Sequence, residues 1–175
     1  MKALKVCVIA LLLVACAPIH VTQDYEKGTD FSKYKTYNYY QDIDTGLSAF
    51  DTKRLFSLLD EQLQLQGLVR SDTPDFYINI QSEEYQNEQR NTVGVGVGGS
   101  GRSVGGGVSV GIPIGQTQIT RQIIFEFVDE NEVGLFWEAV SESRYNPKAS
   151  PEKREERLRV LIEKVFKKYP LKTKK

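Results

Sequence analysis

The residue whose chemistry is best indicated by its surroundings is a cysteine at the end of a short apolar segment. Residues 6–14 are apolar, two lysines precede them, and the chain continues through the tetrapeptide Leu13–Cys16. A small residue directly before a cysteine, at the end of such a segment, is the pattern of a bacterial lipobox, where a signal peptidase cuts. The pattern predicts a signal peptide over residues 1–15 and a diacylated thiol at Cys16, the first residue of the mature chain.

The same segment is too short to hold the protein in a membrane as a helix. A span needs about 20 apolar residues, and this run ends at Val14. The lipid is therefore the expected attachment, and its acyl chains make release very slow at about 0.8 kcal/mol per buried methylene. Ala17, and not aspartate, follows the cysteine, and the absence of aspartate at this position favours sorting to the outer membrane. We expect a cell-envelope lipoprotein anchored in the outer membrane, facing the periplasm, with the membrane as its first partner.

Few other side chains offer reactive chemistry. Cys7 is removed with the signal peptide, so no disulfide can form within one mature chain, and the single histidine, His20, is expected in a solvated tether. These counts exclude Ser-His-Asp triads, Cys-His nucleophiles and the common His/Cys zinc sites unless His20 folds back. The sequence predicts no catalytic residue, metal or cofactor. Carboxylate or Ser-Lys catalysis stays open, and the acids singled out for the first are Asp24, Glu26, Asp75 and Glu126.

Five segments are predicted as strands from alternation, aromatic content or flanking turn residues. They are residues 21–26, 34–40, 75–85, 116–129 and 133–145. The last two flank a turn-forming stretch, which predicts an antiparallel hairpin with Leu135, Trp137 and Ala139 on a common face. Four tyrosines in the second segment favour packing at the edge of the core over a carbohydrate platform.

Two segments have the spacing of amphipathic helices. Over residues 51–66 four leucines recur on one face, with Asp51 as the expected N-cap and Gly67 just after the last turn. The second helix starts at Ser150-Pro151, is ended by Pro170, and carries an uninterrupted apolar stripe. Both helices are expected to bury these faces against a sheet.

The element order β-β-α-β-β-β-α predicts an α+β fold, with two helices on one face of an antiparallel sheet of about five strands. The chain divides into a signal peptide (1–15), a lipidated tether (16–22), one domain (23–170) and a basic tail (171–175). A single domain is expected because a mature chain of about 160 residues is within the usual domain size.

A glycine-rich insertion at residues 94–115 separates the third and fourth predicted strands and holds ten of the 14 glycines. Gly94 to Gly99 satisfy the dinucleotide pattern G-x-G-x-x-G. However, no buried strand precedes them and no amphipathic helix follows, which argues against a nucleotide. We interpret the insertion as a mobile loop or weak hairpin, and the alternative is a loop that contacts a membrane or protein.

Charge is distributed unevenly, although the whole chain is formally neutral. Residues 148–175 carry a net charge of +7, and residues 16–147 carry −9. A basic helix docked on an acidic sheet, or a solvated outer face, is the simpler interpretation. A cationic patch for phosphate-bearing envelope material is the alternative, and nucleic acid is not an expected partner in that compartment.

Several of these features together resemble a family of bacterial lipoproteins built on the domain of unknown function 4136. The stretches that carry the resemblance are Cys16, Asp30–Tyr37, Pro74–Phe76, the glycine-rich insertion, Asp129–Trp137 and Tyr169–Pro170. The resemblance covers nearly the whole mature chain, although the insertion carries valines where the family often has aromatic residues. It implies an α+β lipoprotein of the envelope and transfers no catalytic residue.

Three functions remain compatible with the sequence. The first is a non-catalytic, lipid-anchored protein that binds or scaffolds an envelope protein or glycan. The second is an envelope hydrolase that uses carboxylates, and the third is a subunit of an envelope assembly or secretion complex. Paired acids divide the acid and base roles only at a defined separation, so the placement of the acids bears on the second function.

Overall fold

The computed structural model describes residues 18–87, 92–94, 111–113, 118–167 and 169. The predicted signal peptide, Cys16, most of the glycine-rich insertion and the basic tail lie outside these residues. The strands are β1 (Ile19–Tyr25), β2 (Thr36–Tyr39), β3 (Val69–Arg70), β4 (Phe76–Asn87), β5 (Thr92–Gly94), β6 (Gly111–Pro113), β7 (Gln118–Asp129) and β8 (Gly134–Tyr145). The helices are α1 (Ala49–Leu65) and α2 (Pro151–Phe166).

The main sheet has six strands in the order β1-β8-β7-β4-β2-β3, and the predicted α+β class is confirmed. The additional strand is β3, whose two residues are too few to show an alternation pattern. The prediction of a wholly antiparallel sheet is wrong, because β2 runs parallel to both β3 and β4. Helix α1 lies between β2 and these two strands in the chain, and parallel neighbours require such a crossover.

One hydrophobic core lies between the two helices and one face of this sheet. Helix α1 contributes four leucines, and α2 contributes an apolar stripe from Leu158 to Phe166. The strand residues that meet them include Tyr37, Tyr39, Phe76, Ile78, Ile80, Ile123, Phe125 and Phe127. The hydroxyls of Tyr37 and Tyr39 both donate to Asp60 of α1, at 2.8 and 2.7 Å. Tyr37 and Tyr39 therefore pack in the core, as predicted, whereas Tyr40 of the same predicted segment is half-buried.

The two helices begin with the same kind of cap. The Ser150 hydroxyl accepts from the backbone N–H of Lys153, which confirms the predicted start of α2. At α1 the cap is Ser48, whose hydroxyl accepts from the backbone N–H of Asp51 at 3.3 Å. The predicted capping role of Asp51 is wrong, because its carboxylate is buried in the first turn. Gly67 follows α1 with a φ of +83°, in agreement with the predicted end.

Strands β7 and β8 form the predicted antiparallel hairpin, with a β-bulge between Phe127 and Val128. The bulge shifts the register, so Phe136 and Trp137 are both buried while Leu135 is 47% exposed. The predicted common face of Leu135 and Trp137 is therefore wrong. A bulge sets two residues against one on the partner strand, which alternation alone does not reveal.

Strand β1 pairs with β8 along its whole length, from the pair Ile19–Ser143 to the pair Tyr25–Trp137. Residues 19–22, assigned to a tether from the sequence, belong to the sheet, and His20 lies in this strand. The alternation is weak because β1 is an edge strand, in which Ile19 is buried and Val21 is half-buried. Ala17 and Pro18 are the two residues between Cys16 and the sheet.

The described ends of the glycine-rich insertion form a separate two-stranded sheet. Strands β5 and β6 pair antiparallel, with Val93 opposite Ile112. This pairing agrees with the hairpin interpretation at the two ends of the insertion. The intervening residues 95–110 lie outside the described part of the chain.

Candidate binding surface

The face of the main sheet opposite the helices carries polar and half-exposed side chains. The register aligns them in rows across β1, β8, β7 and β4. The first row is Asp24, Glu138, Glu126 and Asn79, and the second is Thr22, Val140, Ile124 and Gln81. Both described helices pack on the other side of the sheet, so these rows form an open face.

A groove of about 920 Å³ lies on the open face, where residues 40–46 run beside β4 and β7. Five carboxylates line it, and its described lining contains no lysine or arginine. The carboxylates are Asp42, Asp44, Glu83, Glu126 and Glu130. The rings of Tyr40 and Tyr77 stack in the same lining, with centroids 5.1 Å apart. The groove thus combines negative charge with an aromatic pair.

A close approach at Gly46 fixes one wall of the groove. Gly46 has a φ of +68°, and a Cβ atom added there would lie 2.6 Å from the carbonyl oxygen of Ser82. Asp44 accepts the backbone N–H of Gly46 at 3.0 Å, and the hydroxyls of Thr45 and Thr52 are 2.7 Å apart. These contacts hold the wall against β4 and α1.

Two polar side chains of the groove have defined roles. Burial, a hydrogen bond with Glu130 and the charge of that carboxylate raise the pKa of Tyr40 to about 12. Tyr40 therefore remains neutral and keeps its proton at neutral pH. The side-chain amide of Asn79 donates to Oε2 of Glu126 at 2.7 Å, which orients this carboxylate. The acidic side chains offer acceptors, which suit amines and hydroxyl groups.

The four acids singled out for carboxylate catalysis do not share one cleft. Glu126 lines the groove, whereas Asp24 and Glu26 line a separate depression of about 320 Å³ beside Trp137. Asp24 and Glu126 lie in the same row but are separated by β8. Asp75 lies just before β4.

Asp75 has a structural role at the junction of β2 and β4. Its Oδ2 atom accepts the backbone N–H groups of Lys35 and Thr36, both at 2.8 Å. Burial acts in the opposite direction, but these hydrogen bonds hold the pKa of Asp75 below its ordinary value. A carboxylate fixed by backbone donors in this way stabilises the entry into β2.

The predicted lipidation site lies outside the described residues, so the acylation of Cys16 stays a prediction. The described ranges contain no group of three or more His, Cys, Asp or Glu side chains that could hold a metal ion. In those same ranges, no helix has both the length and the apolar content to cross a bilayer. The structure shows that β1 begins three residues after the predicted lipidation site at Cys16.

A buried ionic cluster that sequence reasoning missed joins both helices to the sheet. Asp51 is 1% exposed and lies 3.3 Å from Arg154 of α2 and 3.8 Å from Arg121 of β7. Arg121 also bonds Glu84 at 2.6 Å, and its guanidinium lies 3.4 Å from the ring centre of Tyr145. Asp51 lies four positions before the core residue Leu55, on the same face of α1, and this spacing is the feature of the sequence that indicates its burial. The opposite charges in this cluster pair with one another, so the loss of one member would leave buried charge without compensation.

These observations define the class of the protein. It is an α+β domain in which helices cover one face of the sheet and leave the other face open. The sequence profile of the family Domain of unknown function (DUF4136) matches residues 21–171. The chain belongs to this family, which confirms the resemblance drawn from its sequence. No curated protein sequence matches the chain.

Solved structures with a similar fold are distant in sequence. A PDZ domain protein from Parabacteroides distasonis ATCC 8503 is 15% identical with a TM-score of 0.55, covering 95% of this chain and 40% of that chain. The chain therefore spans less than half the length of that protein. The PelC dodecamer from Paraburkholderia phytofirmans is 15% identical with a TM-score of 0.50, covering 85% of this chain and 95% of that chain. At this identity the likeness concerns the fold alone.

Proposed function

We propose that this protein is a lipid-anchored, non-catalytic binding protein of the bacterial outer membrane, and that the groove on the open face is its binding site. The observation that carries the binding role is the set of five carboxylates in a groove whose described lining has no lysine or arginine. The anchor is supported by the sequence around Cys16 and by the short connection from Cys16 to β1.

The chemistry of the groove favours a ligand that carries positive charge and hydroxyl groups, and we propose an amine-bearing envelope glycan. An exposed amine–carboxylate pair contributes only about 0.2–1 kcal/mol. A polymer that engages several carboxylates at once gains from multivalency. Asn79 and Gln81 add amide groups that can bond hydroxyls, and the Tyr40–Tyr77 pair adds an aromatic surface.

The non-catalytic role is supported by the placement of the acids. A hydrolase that divides acid and base roles between two carboxylates needs them at a separation of about 5–9.5 Å across one scissile bond. Asp24 and Glu26 line a different depression from Glu126, and Asp75 is occupied by two backbone donors. Glu126 is therefore the only one of the four predicted acids that lines the groove, which supports binding there over hydrolysis by that predicted set.

Matched oligosaccharides test the groove. We expect the full acylated chain in neutral detergent to bind a short chitosan oligosaccharide about tenfold more tightly than the N-acetylated chitin oligosaccharide of equal length. The difference should shrink as salt is added, because exposed charges are screened. Isothermal titration calorimetry at two salt concentrations measures both effects. Equal affinity for the two sugars would contradict the proposed ligand class.

Paired variants locate that binding on the molecule. Asp44→Asn with Glu126→Gln removes two charges from the groove while keeping oxygen acceptors for Gly46 and Asn79. We expect this variant to lose about fivefold in chitosan affinity. The matched control is Asp72→Asn with Glu163→Gln, two exposed carboxylates outside the groove lining. A similar loss in the control would mean that net charge, and not the groove, is recognised.

The anchor has its own test. Globomycin, or the Cys16→Ser substitution, should cause a larger precursor to accumulate, because cleavage follows acylation of the cysteine at a lipobox. Mass spectrometry of the untreated mature chain should show the added acyl mass, and fractionation should find it with the outer membrane. A soluble mature chain without acyl mass would overturn this part of the proposal.

Assembly of several copies is the second candidate function. PelC, which has a similar fold, was solved as a dodecamer. In the main sheet of this chain, β1 and β3 are the edge strands, and an edge strand can pair with a strand of another molecule. Native mass measurement of detergent-extracted protein tests this candidate, because a monomer mass at micromolar concentration would exclude it.

A further inference from the structure

A second cavity lies between the end of β8 and the first half of α2, with a volume of about 770 Å³. We call it the basic cavity, because its lining has more cations than carboxylates. The cations are Arg144, Lys153, Arg154 and Arg157. Glu152 and Glu156 are the carboxylates in the same lining. The remaining walls include apolar surface from Leu158 and Val160.

The cations differ in how far they are already engaged. Arg154 is held by Asp51 at 3.3 Å and belongs to the buried ionic cluster. Within the described part of the chain, the side chains of Arg144 and Lys153 form no hydrogen bond or ion pair. Arg144 and Lys153 are both exposed, so they are the cations available to an incoming anion, and the carboxylates of Glu152 and Glu156 are exposed in the same lining.

The sheet register places this cavity at the end of the molecule from which the chain leads to Cys16. Ile19 of β1 is opposite Ser143 of β8, and Arg144 is the next residue of β8, level with Pro18. Cys16 lies three positions before Ile19, and three extended residues reach at most about 10 Å. A lipid on Cys16 therefore holds the mouth of the basic cavity near the headgroups of the membrane.

We infer that the basic cavity binds the headgroup of an anionic phospholipid in the membrane to which the chain is anchored. The positive charge of Arg144 and Lys153 attracts the phosphate, and the half-buried side chain of Val160 offers an apolar contact to the glycerol and the first methylenes. The location of this site rests on the proposed anchor, whereas its chemistry rests on the cavity itself. The site would orient the domain on the bilayer, which the flexible acyl chains alone do not do.

Native mass spectrometry of the full chain, released from neutral detergent micelles, tests the site. Phosphatidylglycerol and phosphatidylcholine are added at equal concentrations, and the bound fraction is followed against lipid concentration. We expect an apparent Kd about tenfold lower for phosphatidylglycerol, because each cation near an anionic headgroup contributes severalfold to affinity. Equal Kd values for the two lipids would overturn the inference.

The variant Arg144→Gln with Lys153→Gln should lose about tenfold in affinity for phosphatidylglycerol and keep its affinity for phosphatidylcholine. The control Lys27→Gln with Lys35→Gln removes two exposed cations that do not line the cavity. Equal losses in the two variants would also overturn the inference. Circular dichroism establishes that both variants are folded, which is expected because the four side chains are exposed.

The same spectra separate this inference from the proposed function. The mass of each chain shows directly whether Cys16 is acylated. An unacylated chain that still prefers phosphatidylglycerol would overturn the anchor and support the headgroup site. An acylated chain without that preference would support the anchor and overturn the headgroup site.

Discussion

At the residue scale, one buried carboxylate decides how both helices are held on the sheet. Asp51 lies 3.3 Å from Arg154 and 3.8 Å from Arg121, and it is 1% exposed. We expect Asp51→Ala to lower the free energy of unfolding by about 3 kcal/mol, because it removes the buried carboxylate that Arg54, Arg121 and Arg154 share. Urea denaturation measures the change. The exposed control Asp72→Ala should change it by no more than about 0.5 kcal/mol, and a comparable result for Asp51→Ala would contradict the role of the cluster.

A second buried carboxylate makes stability depend on pH. Asp129 accepts hydrogen bonds from Tyr34 at 3.0 Å, from Lys33 at 3.3 Å and from the backbone N–H groups of Asn131 and Glu132 at 3.0 and 3.2 Å. Burial opposes them, but together these donors hold the pKa of Asp129 below its ordinary value of 3.8. The unfolded chain therefore binds the proton more readily than the folded chain.

The sign of the effect follows from that difference. The stabilisation by Asp129 is complete above the unfolded pKa and is lost as the pH falls through the lower folded pKa. We expect the stability gap between the wild type and Asp129→Asn to be widest at neutral pH and to narrow between about pH 5 and about pH 2. Urea denaturation at several pH values measures the gap, and a gap that widens on acidification would contradict the assignment.

At the scale of elements, the wall of the groove depends on a glycine. We expect Gly46→Ala to lower the free energy of unfolding by more than the roughly 1 kcal/mol that a left-handed alanine costs, because its Cβ would lie 2.6 Å from the carbonyl oxygen of Ser82. Gly134→Ala is the matched control, since Gly134 has a φ of +76° but nothing within 4 Å of an added Cβ.

Thermal unfolding compares the two variants, and oligosaccharide titration follows the groove. Gly46→Ala should also weaken binding in the groove, because the segment of residues 40–46 must move away from β4. Gly134→Ala lies in the hairpin turn and should leave that binding unchanged. Equal losses of stability in both variants would show that the wall accommodates the methyl group.

The elements that sequence reasoning predicted are those with a local signal. The leucine spacing of α1, the stripe of α2 and the alternation of β4 and β7 each appear in consecutive residues, and these elements formed as expected. Strand β3 and the parallel pairing of β2 depend on partners distant in the chain. The groove was missed for the same reason, because its acids come from residues 42–44, β4, β7 and the following turn.

At the scale of the whole molecule, the position of β1 defines two ends. Residues near Ile19, Arg144 and Lys148 lie at the end that leads to Cys16, and the turn between β7 and β8 lies at the other. Strand β8 has 12 residues, which at about 3.4 Å per residue separates the ends by about 37 Å. If Cys16 is acylated and the basic cavity binds headgroups, the domain stands on the membrane with the turn pointing away.

This orientation predicts a difference between two labels. In the acylated chain, Lys148→Cys or Glu132→Cys supplies the reactive thiol, because Cys7 is lost with the signal peptide and Cys16 is alkylated. A fluorophore at position 148 should be quenched strongly by a quencher attached to lipid headgroups, and one at position 132 only weakly, because quenching falls steeply over the roughly 37 Å between the ends.

A linker of about 15 glycine and serine residues inserted after Ala17 spans about 20 Å. If the anchor alone sets the orientation, this linker should reduce the difference in quenching between the two positions. If the difference in quenching survives the linker in anionic bilayers but not in neutral ones, the basic cavity sets the orientation. Equal quenching at both positions in the chain without the linker would contradict the upright arrangement.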